Sequence, residues 1–340
     1  MSILTVGEIM LRLQPYGYKR FAQADAYEAV YGGGEANVAV SLAQFGEDVA
    51  FFTKLPANAI ADKCVGELRR YGVDTKKIVR GGERMGIYFC EKGCSQRPSN
   101  VIYDRAHSAI SEIEPEDVDA DKLLDGVEWL HWTGITPAIS DKTAKVLAII
   151  LKAAKEKNVT VSCDLNFRKK LWSKEKANKV MSELVKTVDV LISNEEDCKD
   201  VFGIEADNSN ISGGKISKEG YAALGAKVLA KFPALKGVAF TLRESYSASR
   251  NGWSAIYVTR EAVYASKHYD IDIVDRVGGG DSFGAGLIYG LKNNMGEQAA
   301  LEFAVAASCL KHTVEGDFNV ASVAEVKKLT EGDGSGRVQR

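Results

Sequence analysis

Residues 127–164 read VEWLHWTGITPAISDKTAKVLAIILKAAKEKNVTVSCD. The run holds an apolar strand at Val127–Trp132, an amphipathic helix over Asp141–Lys157 and a second apolar strand at Val159–Asp164. The same rhythm continues downstream: a helix over Ser173–Thr187 with Ser173 as its N-cap, a strand at Val190–Ser193, a helix within Ile216–Phe232 and a strand at Gly237–Leu242. Helices over Asp281–Lys292 and Gly296–Thr313 follow. Strands that alternate with helices from about residue 110 onward predict a parallel, doubly wound α/β sheet.

Upstream, Ile3–Val6 reads as a buried first strand, Glu35–Phe45 as a helix stopped by Gly46, Val49–Thr53 as a strand and Ala59–Tyr71 as a helix ended by Gly72. Two regions break the rhythm. Strand signals at 10–31 and at 84–105, the latter including an antiparallel hairpin of Gly86–Glu91 with Asn100–Asp104, predict a small separate sheet. The dipeptide Asn251-Gly252 predicts a hairpin turn leading into strands Trp253–Val258 and Glu261–Ala265.

The chain has 340 residues, 45% hydrophobic and 26% charged, with 44 Lys+Arg against 46 Asp+Glu. That is ordinary globular composition, not that of a disordered, collagen-like or disulfide-stapled chain. A net charge of -2 offers no bulk attraction to nucleic acid or to an anionic membrane. No apolar run approaches the roughly 18 residues of a membrane helix, and the start of the chain lacks the regions of a signal peptide. A cytoplasmic protein is expected. The six cysteines and four histidines show no zinc-type pairing and read as reduced thiols and scattered imidazoles.

Glycine is in excess, with 32 residues. Two triple runs stand out: Gly32-Gly33-Gly34-Glu35-Ala36-Asn37 and Gly278-Gly279-Gly280-Asp281, each directly before a helix. Backbone N–H groups at a helix N-terminus form an anion site, and glycine admits the close approach that a Cβ would block. Asp281 sits behind the second run, where a carboxylate would repel a phosphate unless it has chemistry to perform. Accepting the proton of a hydroxyl that attacks phosphorus is such chemistry.

The segment from Gly32 to Val40, followed by Leu42-Ala43-Gln44-Phe45-Gly46, resembles the N-terminal signature of ribokinase-like (PfkB) carbohydrate kinases. Asp275-Arg276-Val277-Gly278-Gly279-Gly280-Asp281-Ser282-Phe283 resembles their C-terminal signature. The resemblance covers nearly the whole chain. It implies a three-layer α/β/α sandwich with a mostly parallel central sheet and a small β-sheet lid. The α/β domain would comprise 1–9, 32–84 and 106–330, the lid 10–31 and 85–105, and a tail 331–340. It further implies Asp281 as general base, with the Gly278, Gly279, Gly280 and Asp281 amides stabilising the transferring phosphoryl group. The donor would be ATP with Mg²⁺, a monovalent cation being an optional activator. Asn194, Thr241, Gly278 and Gly280 would contact the nucleotide. In Asn194-Glu195-Glu196-Asp197 the last residue would support the metal indirectly, with Asp in a place the family gives to Glu.

Within the family, Tyr103-Asp104-Arg105, the segment His131–Ala138 and Asp164-Leu165-Asn166-Phe167-Arg168 resemble 2-keto-3-deoxygluconate kinases. The implied substrate is a small sugar acid, phosphorylated to 2-keto-3-deoxy-6-phosphogluconate, with a fructokinase or other neutral-ketose kinase as the alternative. A substrate carboxylate calls for placed cations, met by Arg105 and Arg168, while Tyr88 and Tyr103 offer an apolar wall and a hydroxyl. Glu8, Gly33, Gly34 and Asn37 complete the expected sugar pocket. Glu8 is either a hydroxyl acceptor or the partner of a lid residue. Three departures fall near the nucleotide: the loop Leu55-Pro56-Ala57-Asn58 lacks the family's glycines and acid, Arg276 follows Asp275, and Arg243 follows Thr241-Leu242. An exposed small sheet needs cover, so a homodimer through the lid is expected.

Overall fold

The protein is described by a computed structural model covering residues 3–206, 217–332 and 334. Most of the expected tail 331–340, and the first residue of the segment 216–232, lie outside these described residues. The first part of the chain forms β1 (Ile3–Val6), β2 (Met10–Pro15), β3 (Tyr27–Gly32), α1 (Gly34–Gln44), β4 (Val49–Phe52), β5 (Lys54–Leu55), α2 (Ala59–Arg70), β6 (Val79–Arg80), β7 (Ile87–Glu91) and β8 (Asn100–Asp104). The middle gives α3 (Ala120–Leu123), β9 (Trp129–Thr133), α4 (Ile135–Ile139), α5 (Asp141–Glu156), β10 (Thr160–Asp164), α6 (Lys174–Leu184), β11 (Val190–Ser193) and α7 (Glu195–Phe202). The last part gives α8 (Lys218–Lys231), β12 (Gly237–Ser245), β13 (Arg250–Thr259), β14 (Val263–Ala265), β15 (Tyr269–Asp272), α9 (Gly279–Lys292), α10 (Glu297–Lys311) and α11 (Val323–Thr330).

The large sheet runs β14-β13-β12-β11-β10-β9-β1-β4, with β15 on β13. From β4 to β12 every pairing is parallel, and β13 to β15 join antiparallel. Alternate residues of each strand point to opposite faces. Leu4, Val6, Leu130, Trp132, Val161 and Cys163 bury against α5, α6 and α8, while Ile3, Phe51, Trp129, Ile192 and Ala239 bury against α1, α9 and α10. Both faces are therefore covered by helices, as a parallel sheet requires. The result is a three-layer α/β/α arrangement.

The strands at 10–15, 27–32, 87–91 and 100–104 form a second sheet in the order β3-β2-β7-β8. Its hairpin β7–β8 is antiparallel, pairing Ile87 with Asp104 and Glu91 with Asn100. Among the described residues no helix is long and apolar enough to cross a membrane. The six cysteines are all free, five of them buried.

One turn lies elsewhere than expected. Asn251-Gly252 is not a turn; both residues lie inside β13, where Ser245 pairs with Asn251 and Glu244 with Gly252. The reversal falls at 246–249, and the glycine answers a different need. A side chain at Gly252 would meet Glu244 on β12, Tyr246 in the turn after it and His268 just before β15. Close packing across the sheet, not turn geometry, selects that glycine.

Candidate active site

The parallel strands β1, β9, β10 and β11 end on one edge of the sheet. There the chain places Glu8, Thr133, Asp164 and Asn194, the edge where open α/β sheets build their sites. The cleft above this edge has a volume of about 910 Å³. Every residue expected in the site lines it except Gly279, whose missing side chain faces the His312 ring instead.

Both glycine runs open helices onto this cleft. Gly278 has φ 85°, a left-handed conformation, and a Cβ there would collide with the carbonyl of Asp317. Gly280 meets nothing within 4 Å, so its missing side chain is open space over the cleft. Helix geometry leaves the first N–H groups of α9, including those of Gly280 and Asp281, without intrahelical acceptors. They form the kind of anion site a phosphoryl group uses. In the first run Gly33 is extended, with φ 174°; its lack of a side chain lets Glu8's carbonyl approach.

The two loops are joined by one hydrogen bond. Asn37 Nδ2 donates to Asp281 Oδ2 at 2.7 Å, while Asn37 Oδ1 accepts the N–H of Gly33 at 3.2 Å. Asn37 is buried, and both ends of its amide are engaged in orienting the loop and the carboxylate. Burial pushes the Asp281 carboxyl up to about 6, against the pull of Asn37, Arg168 and Lys311.

Asp281 is not alone. Asp164 is pushed well above the ordinary carboxylate range, first by burial and then by Asp197 and Asp281. Asp197 is raised to about 6, chiefly by burial, although Phe167 N–H donates to its Oδ2 at 3.1 Å. Asn194 caps α7 by accepting the N–H of Asp197 at 2.8 Å. Arg168, exposed at the cleft, counteracts the rise at all three aspartates.

Also lining the cleft, Glu8 pairs with Arg105 and accepts the hydroxyl of Ser108 at 2.9 Å. Glu8 thus has Arg105 as a partner while it also lines the cleft. The Nε of Arg105 is buried without an acceptor among the described residues. The Arg105 guanidinium lies 5.5 Å from the Tyr103 ring, and that ring lies 5.9 Å from Tyr88. The Tyr88 hydroxyl is turned inward, donating to Asp317 at 2.5 Å. Arg276 donates to Ala248's carbonyl at 2.9 Å and, like Arg243, lines the cleft; burial and Arg243 both lower its affinity for its proton.

Sequence reading missed three participants. Glu35, inside the first glycine motif, is fully buried; its Oε1 accepts Thr133 N–H at 3.1 Å and the Thr133 and Thr136 hydroxyls at 2.8 and 2.5 Å. Burial raises its carboxyl to about 7. Arg12, behind the cleft lining, forms an ion pair with Asp317, which lines it. A polar residue in an apolar strand was the available signal for Arg12; nothing local marked Asp317.

The profile of the pfkB family carbohydrate kinases matches residues 1–322. The chain belongs to that family. A crystal structure of 2-dehydro-3-deoxygluconokinase from Thermotoga maritima is 51% identical, with a TM-score of 0.94 over 98% of this chain and 100% of that one. A 2-dehydro-3-deoxygalactonokinase of Haloferax volcanii is 31% identical over 98% of both chains. A putative 2-keto-3-deoxygluconate kinase from Enterococcus faecalis is 26% identical, with a TM-score of 0.91 over 100% of this chain and 99% of that one. This chain is thus a carbohydrate kinase of the ribokinase-like fold, and kinases of its family use ATP.

Proposed function

We propose that this pfkB-family kinase phosphorylates a keto-deoxy sugar acid, 2-keto-3-deoxygluconate, at its terminal hydroxyl. The observation that carries the reading is one cleft lined together by Asp281, the first residues of α9, Arg105 and Arg168. The names of the relatives from Thermotoga maritima and Enterococcus faecalis point the same way.

Asp281 takes the proton of the sugar's primary hydroxyl as its oxygen attacks the γ-phosphorus of ATP. The new O–P bond forms as the bridging O–P bond breaks, and its electron pair leaves on ADP. The amides from Gly278 to Asp281 stabilise the charge on the transferring group, and no covalent intermediate is needed. Arg105 and Arg168 hold the substrate carboxylate, with Tyr103 and Tyr88 as the adjoining wall. Asn37 orients the base, and Gly33 and Gly34 let the sugar approach the backbone. Asn194 and Thr241 border the nucleotide.

Among the described residues no cluster of three or more metal-binding side chains forms a cage. Mg²⁺ bound with a nucleotide needs only one or two carboxylates besides phosphate and water. Asp164, raised by burial and by Asp197, and Asp197, raised chiefly by burial, fit that need, with Asp197 acting indirectly. When bound, the ion neutralises phosphate charge. The β3-β2-β7-β8 sheet serves as the lid, and its outer face mates with a second copy of the chain.

The test is a coupled ATP-consumption assay with 2-keto-3-deoxygluconate, its galacto epimer, fructose and ribose, each with and without K⁺. We expect kcat/KM for the sugar acids to exceed that for neutral sugars at least about 100-fold, the worth of a placed carboxylate contact. The Glu8–Arg105 pair, which spends part of a cation's capacity inside the protein, favours a neutral ketose instead. Fructose turning over faster than both acids would establish that second reading.

A further inference from the structure

Arg12 lies on β2 with no exposed surface, and it does not border the cleft. Its Nη2 donates to Asp275 Oδ2 and its Nη1 to Asp317 Oδ1, each at 2.6 Å. Asp275 begins the turn into the second glycine run. Its Oδ1 accepts the N–H of Val277 at 3.1 Å, and its Oδ2 accepts that of Gly316 at 3.2 Å. Asp317 accepts the Tyr88 hydroxyl on its other oxygen, and its backbone carbonyl lies against Gly278. The β2–β7 register sets Arg12 directly beside Tyr88, so two neighbouring side chains of the small sheet reach the same carboxylate.

A buried ion cluster is a poor way to gain stability, because well-packed apolar residues of similar volume do as well or better. What a guanidinium fork does supply is fixed geometry between two carboxylates. Here those carboxylates flank the anion-binding turn, one before it in the chain and one packed on its first glycine.

We propose that Arg12 is a positioning residue for phosphoryl transfer: through Asp275 and Asp317 it locks the turn carrying Gly278–Asp281 to the cleft face of the small sheet. The inference rests on the kinase reading above. It makes the placement of the phosphate-binding amides depend on the small sheet, so that sheet and turn hold one geometry.

Arg12→Lys keeps the charge but lacks the fork that spans both carboxylates. Two measurements compare it with the unsubstituted protein. The first is calorimetric affinity for AMP-PNP with Mg²⁺, which needs no sugar. The second is kcat and KM with the sugar acid, at a temperature where circular dichroism shows both proteins folded. We expect AMP-PNP affinity and kcat each to fall at least about tenfold while the sugar KM changes less than about threefold, since misplaced amides cost transition-state binding rather than sugar binding. Unchanged kcat and AMP-PNP affinity with only a lower melting temperature would overturn the proposal and leave Arg12 a stabilising strut. If Arg12→Lys does not fold, the triple variant Arg12→Met, Asp275→Asn, Asp317→Asn removes the guanidinium together with both carboxylates it bridges, leaving Lys311 in place, and is judged by the same two measurements. An unsubstituted protein that binds AMP-PNP but phosphorylates no sugar acid would defeat the substrate reading alone, and nucleotide affinity would still decide the role of Arg12.

Discussion

Asp281 titrates near 6 because it is buried, so at pH 8 it is ionised and able to accept a proton. As pH falls through about 6 this carboxylate becomes protonated, and with Asp281 as the proposed base kcat should drop about tenfold per unit below that point; a pH–rate profile flat from 8 to 5 would remove the assignment. Asp281→Asn should lower kcat by about 10²–10⁴-fold with sugar binding retained, read by turnover and calorimetry. The same substitution should stabilise the protein. A carboxyl whose folded-state value lies above its unfolded value loses stability as pH rises through the folded value. Moving from 3.8 to about 6 corresponds to about 3 kcal/mol at pH 8 as an upper figure. A higher melting temperature for Asp281→Asn at pH 8, shrinking toward pH 4, is therefore expected. Arg168 faces the cleft, and Arg168→Ala should raise KM for the acid sugar at least about tenfold while leaving a neutral hexose unaffected. Equal effects on both substrates would argue against carboxylate recognition.

At the scale of the element, the second glycine run combines two kinds of glycine that substitution separates. Gly278 is left-handed and packed against Asp317, so Gly278→Ala should cost at least about 2 kcal/mol of stability, measured by denaturant unfolding. Gly280 lies within the first turn of α9 with open space beside it. Alanine there suits the helix, so Gly280→Ala should keep or slightly raise the melting temperature. Its methyl would project into the phosphate site, and we expect kcat to fall at least about tenfold. A fully active Gly280→Ala would show that phosphate does not approach this turn. Helix termini set up the other contacts in the same way: Asn194 fixes the start of α7 and thereby Asp197, and Gly33 lets α1 begin against Glu8.

At the scale of the whole molecule, the small sheet presents two different faces. Register puts Met10, Arg12, Tyr88 and Tyr103 toward the cleft, and Leu13, Phe89, Ile102 and Tyr27 on the opposite side. On that outer side Ile102 is 50% exposed and Tyr27 is 37% exposed, apolar surface of the sort that pairs with a second copy. Size-exclusion chromatography with light scattering should show a dimer at micromolar concentration, and Ile102→Lys should convert it to a monomer without unfolding it. A monomeric unsubstituted protein would refute the pairing.

The fold was legible because it depends on short-range pattern. Short, continuously apolar strands alternating with amphipathic helices are written into consecutive residues, and both glycine runs stand directly before helices. Asp281, Arg105 and Arg168 each sit in a local motif, and the fold brings all three to one cleft. Asn251-Gly252 misled because a turn-forming dipeptide and a glycine needed for close strand packing look alike along the chain. Only the tertiary structure decided who partners whom. Asn37 reaches Asp281, Glu8 closes on Arg105, Glu35 gathers Thr133 and Thr136, and Arg12 joins Asp275 and Asp317 from positions 263 and 305 residues away. Burial and distance set those charges and contacts, and neither is a property of neighbouring residues in the sequence.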